Sequence, residues 1–162
     1  MTTTGTVHEL VGELDYPMFI VTVASGTERA GCLVGFATQC SIDPPRFLLC
    51  LSERNRTFRV ARDADVVVVH LVPEHAGALA DLFGGRTGDE IDKFAHCAWS
   101  PGPSDTPVLD ACPNWFAARI IDRVAAGDHC ALLLDPFHAQ SDSSGRPFTF
   151  HRAKRIEAGH PA

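Results

Sequence analysis

Two short polar steps follow apolar strands in the first third of the chain, and each gathers groups able to hold a hydrogen-bonding or anionic ligand. Thr38, Gln39, Cys40 and Ser41 offer hydroxyls, an amide and backbone N–H groups just before Pro44-Pro45. Ser52, Arg54, Asn55 and Thr57 place donors at the start of a predicted short helix, where the backbone dipole favours negative charge. Both segments have a plainer reading. The first is also a Ser/Thr turn before prolines, and the second is also a helix cap beside a solvated arginine. Residue types alone leave both readings open.

Other chemistries lack the spacing they need. There is no G-x-G-x-x-G and no P-loop lysine, and Gly84-Gly85-Arg86-Thr87-Gly88 reads as a turn. Neither C-x-x-C nor H-E-x-x-H is present, and His70 and His75 fall at no recognised ligand spacing, so no metal site is expected. No G-x-S-x-G marks a nucleophile elbow.

The elements that would position the polar steps are mostly strands. Met18 to Ala24 is a β-branched run ending at the turn signal Ser25-Gly26, and Ala30 to Ala37 follows at hairpin distance. Arg46 to Leu51 reads as a strand, Asn55 to Arg62 as a short helix capped by Asn55. Asp65 to Val72 is apolar on both faces and so central in its sheet. Ala76, Leu79, Ala80 and Phe83 repeat at helical spacing. Asp89 to Phe94 reads as another short helix with Thr87 as a cap, and Ser100 to Pro107 as a loop. Asn114 to Val124 and Cys130 to His138 are two long strands, and Pro147 to His151 is a candidate last one. Strands and long helices do not alternate, which excludes a doubly wound sheet and favours a small barrel with helical insertions.

Composition agrees with one domain. The chain has 162 residues, 45% hydrophobic and 21% charged, with net charge −6. An acidic chain of this kind is not expected to bind nucleic acid. No apolar run is long enough for a membrane helix, and the N-terminus carries no secretory pattern. The six cysteines are therefore expected as reduced, mostly core thiols of a cytoplasmic protein.

A distributed pattern remains: G-C-L-V-G-F-A-T-Q-C-S-I-D-P-P at 31–45, L-S-E-R-N-R-T-F-R-V at 51–60, D-L-F-G-G at 81–85, D-K-F at 92–94, Trp99, P-V-L at 107–109 and G-D-H at 127–129. In this order and spacing the chain resembles the flavin reductase-like family of FMN-binding split β-barrels. The resemblance implies a mostly β fold: a six-stranded antiparallel split β-barrel of Greek-key type with two or three short helices. It is expected to be one domain over residues 1–162, with its core at 10–150 and a tail at 152–162 free to fray. A homodimer that builds its site from both protomers is also implied.

The activity implied is NAD(P)H-dependent reduction of FMN or FAD, with the chain serving as the reductase component beside a monooxygenase. Such a barrel must supply donors for the phosphate, polar groups for the ribityl chain and pyrimidine edge, and a flat apolar slot open to a hydride donor. The resemblance tips both polar steps toward the cofactor: Thr38, Gln39, Cys40 and Ser41, then Ser52, Arg54, Asn55 and Thr57. It adds Lys93 and Phe94 as the family's basic–aromatic pair. His129, after Gly127-Asp128, becomes a substrate-side residue that positions the nicotinamide. Leu33 and Gly35 stand where many members have Thr and Asn, and Gln39 where Ser is common. These departures keep a second reading open, a flavin or deazaflavin carrier or sensor that does not turn over nicotinamide. A barrel that has lost its cofactor and serves as an interaction module is a third.

Overall fold

The computed structural model describes residues 2–142 and 145–159. Phe19–Ser25 (β1) and Glu28–Val34 (β2) form a hairpin in register from Phe19↔Val34 to Ser25↔Glu28. Gly26 takes φ of 57° in its two-residue turn, a conformation that side chains with a Cβ adopt rarely. Ala37–Ser41 (β3) and Arg46–Ser52 (β4) form a second antiparallel pair, bulged between Gln39 and Ser41. Val66–Leu71 (β5) is buried along nearly its whole length, as a strand apolar on both faces must be. Trp99–Pro101 (β6) and Pro107–Leu109 (β7) make a separate two-stranded ribbon. Trp115–Ala126 (β8) and His129–Gln140 (β9) form a long hairpin, with Gly127 at φ of 73° in its turn.

The main sheet has seven strands in the order β2-β1-β5-β8-β9-β4-β3, every neighbouring pair antiparallel. Its two edge strands are consecutive in the chain. Val34 closes β2 and Ala37 opens β3, so only Gly35 and Phe36 carry the backbone from one edge to the other. Three residue steps span at most about 11 Å. The sheet must therefore curl until its edges nearly meet, and the result is a split barrel. Ala30 to Ala37, expected as one strand, breaks at Gly35-Phe36, and the polar step at 37–41 pairs as a strand of its own, so the main sheet has seven strands where the resemblance implies six.

Helices close the barrel. Thr3–Gly12 (α1) is capped by Thr2, buries none of its residues and lies in a region where the sequence reading assigned no element. Arg56–Ala61 (α2) begins at Asn55, whose side chain accepts from the Thr57 N–H at 2.9 Å, and it buries Thr57, Val60 and Ala61. Gly77–Gly85 (α3) buries Ala80 and Phe83. Phe83 lies against Gly31, where a Cβ would come within 2.7 Å of its ring. Phe150–Ala153 (α4) is a single turn. Two apolar clusters result, one around Val21, Leu49, Val67 and Leu132 inside the curl, the other around Ile20, Phe83, Leu109 and Phe148.

Three local expectations are corrected. Pro147 to His151 is no strand: prolines at 17, 73 and 147 cannot donate, and only the isolated bridges Pro17↔Thr149 and Pro73↔Pro147 form. In the segment expected as a helix from Asp89 to Phe94, helical backbone is confined to the 3-10 turn Lys93–Ala95, capped by Asp92, while Thr87 accepts from the Asp89 N–H in a separate turn. Within the Ser100 to Pro107 loop, both ends pair as β6 and β7. The tail after Phe150 packs down through Ile156, and the Gly159 N–H donates to the Gly84 carbonyl at 3.2 Å.

Candidate functional site

A cleft of about 470 Å³ opens where the barrel is split. Its floor comes from β2 and the crossover, through Leu33, Val34, Gly35 and Phe36, and from Cys50 to Ser52 of β4. One wall is the tail, through Phe150, Ala153 and Ile156. Tyr16 stacks on Phe150 with ring centres 4.7 Å apart and planes 9° from parallel, so this wall is flat and aromatic. Gly35 is needed there because a Cβ would approach the Tyr16 ring to 2.8 Å.

Polar groups are few and sit at one rim. Ser52 is buried and its Oγ has no hydrogen-bond partner. A buried hydroxyl left unpaired costs about 1–3 kcal/mol, so its place on a cleft wall points to a ligand. Asn55 lines the same rim, its Oδ1 committed to the Thr57 N–H. His129 pairs with Ser52 across β4 and β9. The Asp128 carboxylate lies 2.6 Å from its Nδ1, and the Phe36 ring 5.2 Å from its centre. A carboxylate can only accept, so Nδ1 carries a proton and Nε2 is the nitrogen left for other contacts. The hydrogen bond from His129 holds the Asp128 carboxyl below its usual range. Cys32 and Cys50 also line the cleft, but burial pushes both thiols up, which suppresses the thiolate a nucleophile would need.

The expected residues divide. Ser52, Asn55 and His129 come together at the rim. Thr38, Gln39 and Cys40 are exposed on edge strand β3 and Ser41 half-buried at its end; none of the four lines the cleft. Their side chains bond locally, Thr38 Oγ1 to the Gln39 carbonyl and Gln39 Nε2 to the Ser41 carbonyl. Arg54 is exposed, near Asp128. Thr57 lies on the buried face of α2, where its hydroxyl has no hydrogen-bond partner. Lys93 and Phe94 are buried beside a second pocket; the lysine amine donates to the Gly31 carbonyl at 3.0 Å and the Phe83 carbonyl at 2.9 Å. Sequence reasoning missed Tyr16, Phe36 and Phe150. Phe36 had a signal, an aromatic beside the glycine at a strand break, whereas Tyr16 and Phe150 meet only through tertiary folding.

A model of the flavin reductase like domain matches residues 11–158. The chain belongs to this family. Flavin reductase-like relatives include the NADH:FMN oxidoreductase of Rhodococcus erythropolis, 29% identical over 140 residues that cover 83% of this chain and 71% of that protein. The stachydrine N-demethylase reductase subunit Stc3 of Rhizobium meliloti is 27% identical over 117 residues, covering 70% of this chain and 50% of the relative. The crystal structure of a flavin reductase domain protein from Arthrobacter sp. FB24 superposes with a TM-score of 0.83 at 22% identity, over 92% of this chain and 91% of that one. The seven-stranded curl described above is thus the fold of this flavin reductase-like domain.

Proposed function

We propose that this chain is a flavin-binding oxidoreductase that reduces FMN or FAD with a nicotinamide hydride donor, and that the cleft at the barrel split seats the flavin ring. The observation that carries the reading is the unpartnered Ser52 hydroxyl buried in an otherwise apolar, flat-walled cleft with His129 at its rim. These residues fit the group. The Tyr16–Phe150 wall and Phe36 offer faces to a planar ring and exclude water. Ser52 supplies a donor for its polar edge, and Arg54, exposed two residues further along the chain, is the cation offered to a phosphate. When bound, the flavin supplies the ring that takes up the hydride. His129, fixed by Asp128 through Nδ1, orients the nicotinamide against that ring. Room for the donor is present: the cleft runs on into a groove of about 510 Å³ that shares Tyr16, Gly35, Phe36 and Phe150 and is bounded by His8, Val11 and Leu14 near α1.

The NADH:FMN oxidoreductase relative favours NADH as donor, and the N-demethylase reductase subunit favours service beside a monooxygenase. A homodimer is supported by apolar side chains left uncovered, Leu10 and Leu14 beside α1, Phe36 at the crossover, Val124 and Phe137 on the β8–β9 hairpin. Sedimentation would read that state directly. Free cysteines at all six positions support a reducing, cytoplasmic setting, and among the described residues no helix is long and apolar enough to cross a membrane.

A carrier or sensor that holds a flavin or deazaflavin without turnover is favoured by one observation. Leu33 and Gly35 line the cleft itself, so a hydroxyl and an amide common in the family are missing from the ring's surroundings. Anaerobic titration of the flavin-loaded protein with NADH, and separately with NADPH, decides between the two. Bleaching of the flavin absorbance by either donor supports the reductase; a spectrum unchanged by both defeats it.

A further inference from the structure

Two glycines close α3, although glycine is among the poorest residues for a helix. Their place is explained by what rests on them. A Cβ at Gly85 would stand 3.3 Å from the Ile156 side chain and 3.4 Å from the Glu157 carbonyl oxygen. A Cβ at Gly84 would stand 2.9 Å from Leu33 and 3.6 Å from Ile156. The Gly84 carbonyl also accepts from the Gly159 N–H at 3.2 Å. The end of α3 is thus a smooth seat for the tail, with Ile156 lying on both glycines.

The two sides of the cleft are held in different ways. Its floor is sheet, and β4 is bonded along both edges, to β3 and to β9. The tail is anchored as far as Phe150: the Phe148 N–H donates to the Val72 carbonyl at 2.8 Å, and the Phe150 N–H to the Tyr16 carbonyl at 2.9 Å. The His151 N–H then reaches the exposed Asp15 carboxylate at 2.9 Å. From Arg152 to Ile156 the backbone N–H groups donate only within the tail, to carbonyls of Thr149, Phe150, Arg152 and Ala153. Among the described residues, the next backbone bond to another element is that of Gly159. Two exposed side-chain ties remain, from Arg152 to the Glu74 carbonyl and from Lys154 to the Gly12 carbonyl. Exposed bonds of this kind exchange readily for bonds to water, and a segment held by few contacts opens locally before the rest of the fold. Ile156 on its glycine seat is the one apolar contact that fixes the far end. A planar ring on the floor is faced by Phe150, Ala153 and Ile156, so the position of the tail sets the width of the cleft.

We infer that residues 151–159 form a strap that lifts for a flavin to enter or leave, with Ile156 as its latch and Gly84-Gly85 as its seat. The inference rests on the cleft being the flavin site. Gly85 is then a positioning residue, acting on the flavin through the tail, and the strength of the latch sets how fast reduced flavin is released.

The test compares the intact parent with Ile156→Ala and with the double variant Ile156→Ala/Gly85→Ala, whose methyl on the seat refills part of the space left by the smaller latch. Stopped-flow quenching of riboflavin fluorescence gives the association and dissociation rates. Loosening a strap raises both by about tenfold in Ile156→Ala, with Kd changing far less than either rate, and the double variant returns both toward the parent. A rise in the dissociation rate alone would show only a lost contact with the ring, and overturns the strap. Unchanged rates with a lower urea midpoint would show plain packing, and overturn it too. Hydrogen exchange of the flavin-free parent adds a measurement that needs neither variant nor ligand. The Ile156 and Gly159 amides should exchange at least about tenfold faster than those of β5; equal protection overturns the strap. Failure of the parent to bind riboflavin overturns the flavin assignment instead, and the exchange measurement keeps the two outcomes distinct.

Discussion

Replacing His70 with glutamine should flatten the acid side of the protein's stability curve without touching the cleft. His70 is fully buried in β5; its Nδ1 is 2.9 Å from the Ile20 carbonyl, and its Nε2 is 3.0 Å from the Leu109 N–H. A carbonyl only accepts and an N–H only donates, so the ring is neutral with its proton on Nδ1. It ties β1 to the β6–β7 ribbon. Burial lowers its pKa from 6.5 to about 4. The unfolded chain therefore takes up a proton below pH 6.5 that the folded chain refuses until about pH 4. Stability from this residue is complete above pH 6.5, falls through the interval and levels off below pH 4, a loss of about 3 kcal/mol. Asp15, Asp89 and Asp128 have carboxyls held below 3.8 by hydrogen bonds, so their contributions fade at lower pH and outside this window. Glutamine can donate to Ile20 and accept from Leu109 without titrating. Urea unfolding followed by tryptophan fluorescence at pH 7, 5.5 and 4 measures the difference. The parent should lose about 3 kcal/mol more than His70→Gln from pH 7 to 4. Parallel curves for the two proteins would refute the argument.

Other outcomes follow from the cleft. His129→Ala should leave flavin affinity nearly unchanged and raise KM for the nicotinamide donor, with a fall in kcat as well if the contact forms only in the transition state; steady-state kinetics and flavin fluorescence quenching separate the two. Ser52→Ala should weaken flavin binding several-fold yet leave thermal stability equal or higher, because it removes a buried hydroxyl that has no partner in the folded chain. Arg54→Ala should weaken FMN about tenfold or more and riboflavin little, and equal losses for both ligands would show that Arg54 does not read the phosphate. Gly31→Ala should destabilise by about 1–3 kcal/mol in denaturant melts, since the new Cβ meets the Phe83 ring at 2.7 Å and the Val21 carbonyl at 3.1 Å.

How far the sequence could be read depended on whether a feature was local. Strand β5 was plain because four successive valines, apolar on both faces, admit one placement, the sheet centre. Ser52, Asn55 and His129 were legible because donors beside a helix start and a G-D-H turn are local signals, and the β4–β9 register then sets Ser52 opposite His129. Lys93 shows the limit. Its place beside Phe94 suggests a cofactor contact, and no local signal shows that its amine also lies on the carbonyls of Gly31 and Phe83, one of them 62 positions away. Thr57 shows the same on a smaller scale: whether a helix residue faces ligand or core is fixed by which face packs on the barrel. The cleft's aromatic wall was the least visible part. Tyr16 and Phe150 lie at opposite ends of the chain and stack where the Phe150 N–H donates to the Tyr16 carbonyl at 2.9 Å, next to the isolated bridge Pro17↔Thr149. The segment where the strand expected at Pro147 to His151 gives way to isolated bridges is also the one that supplies the cleft's aromatic wall.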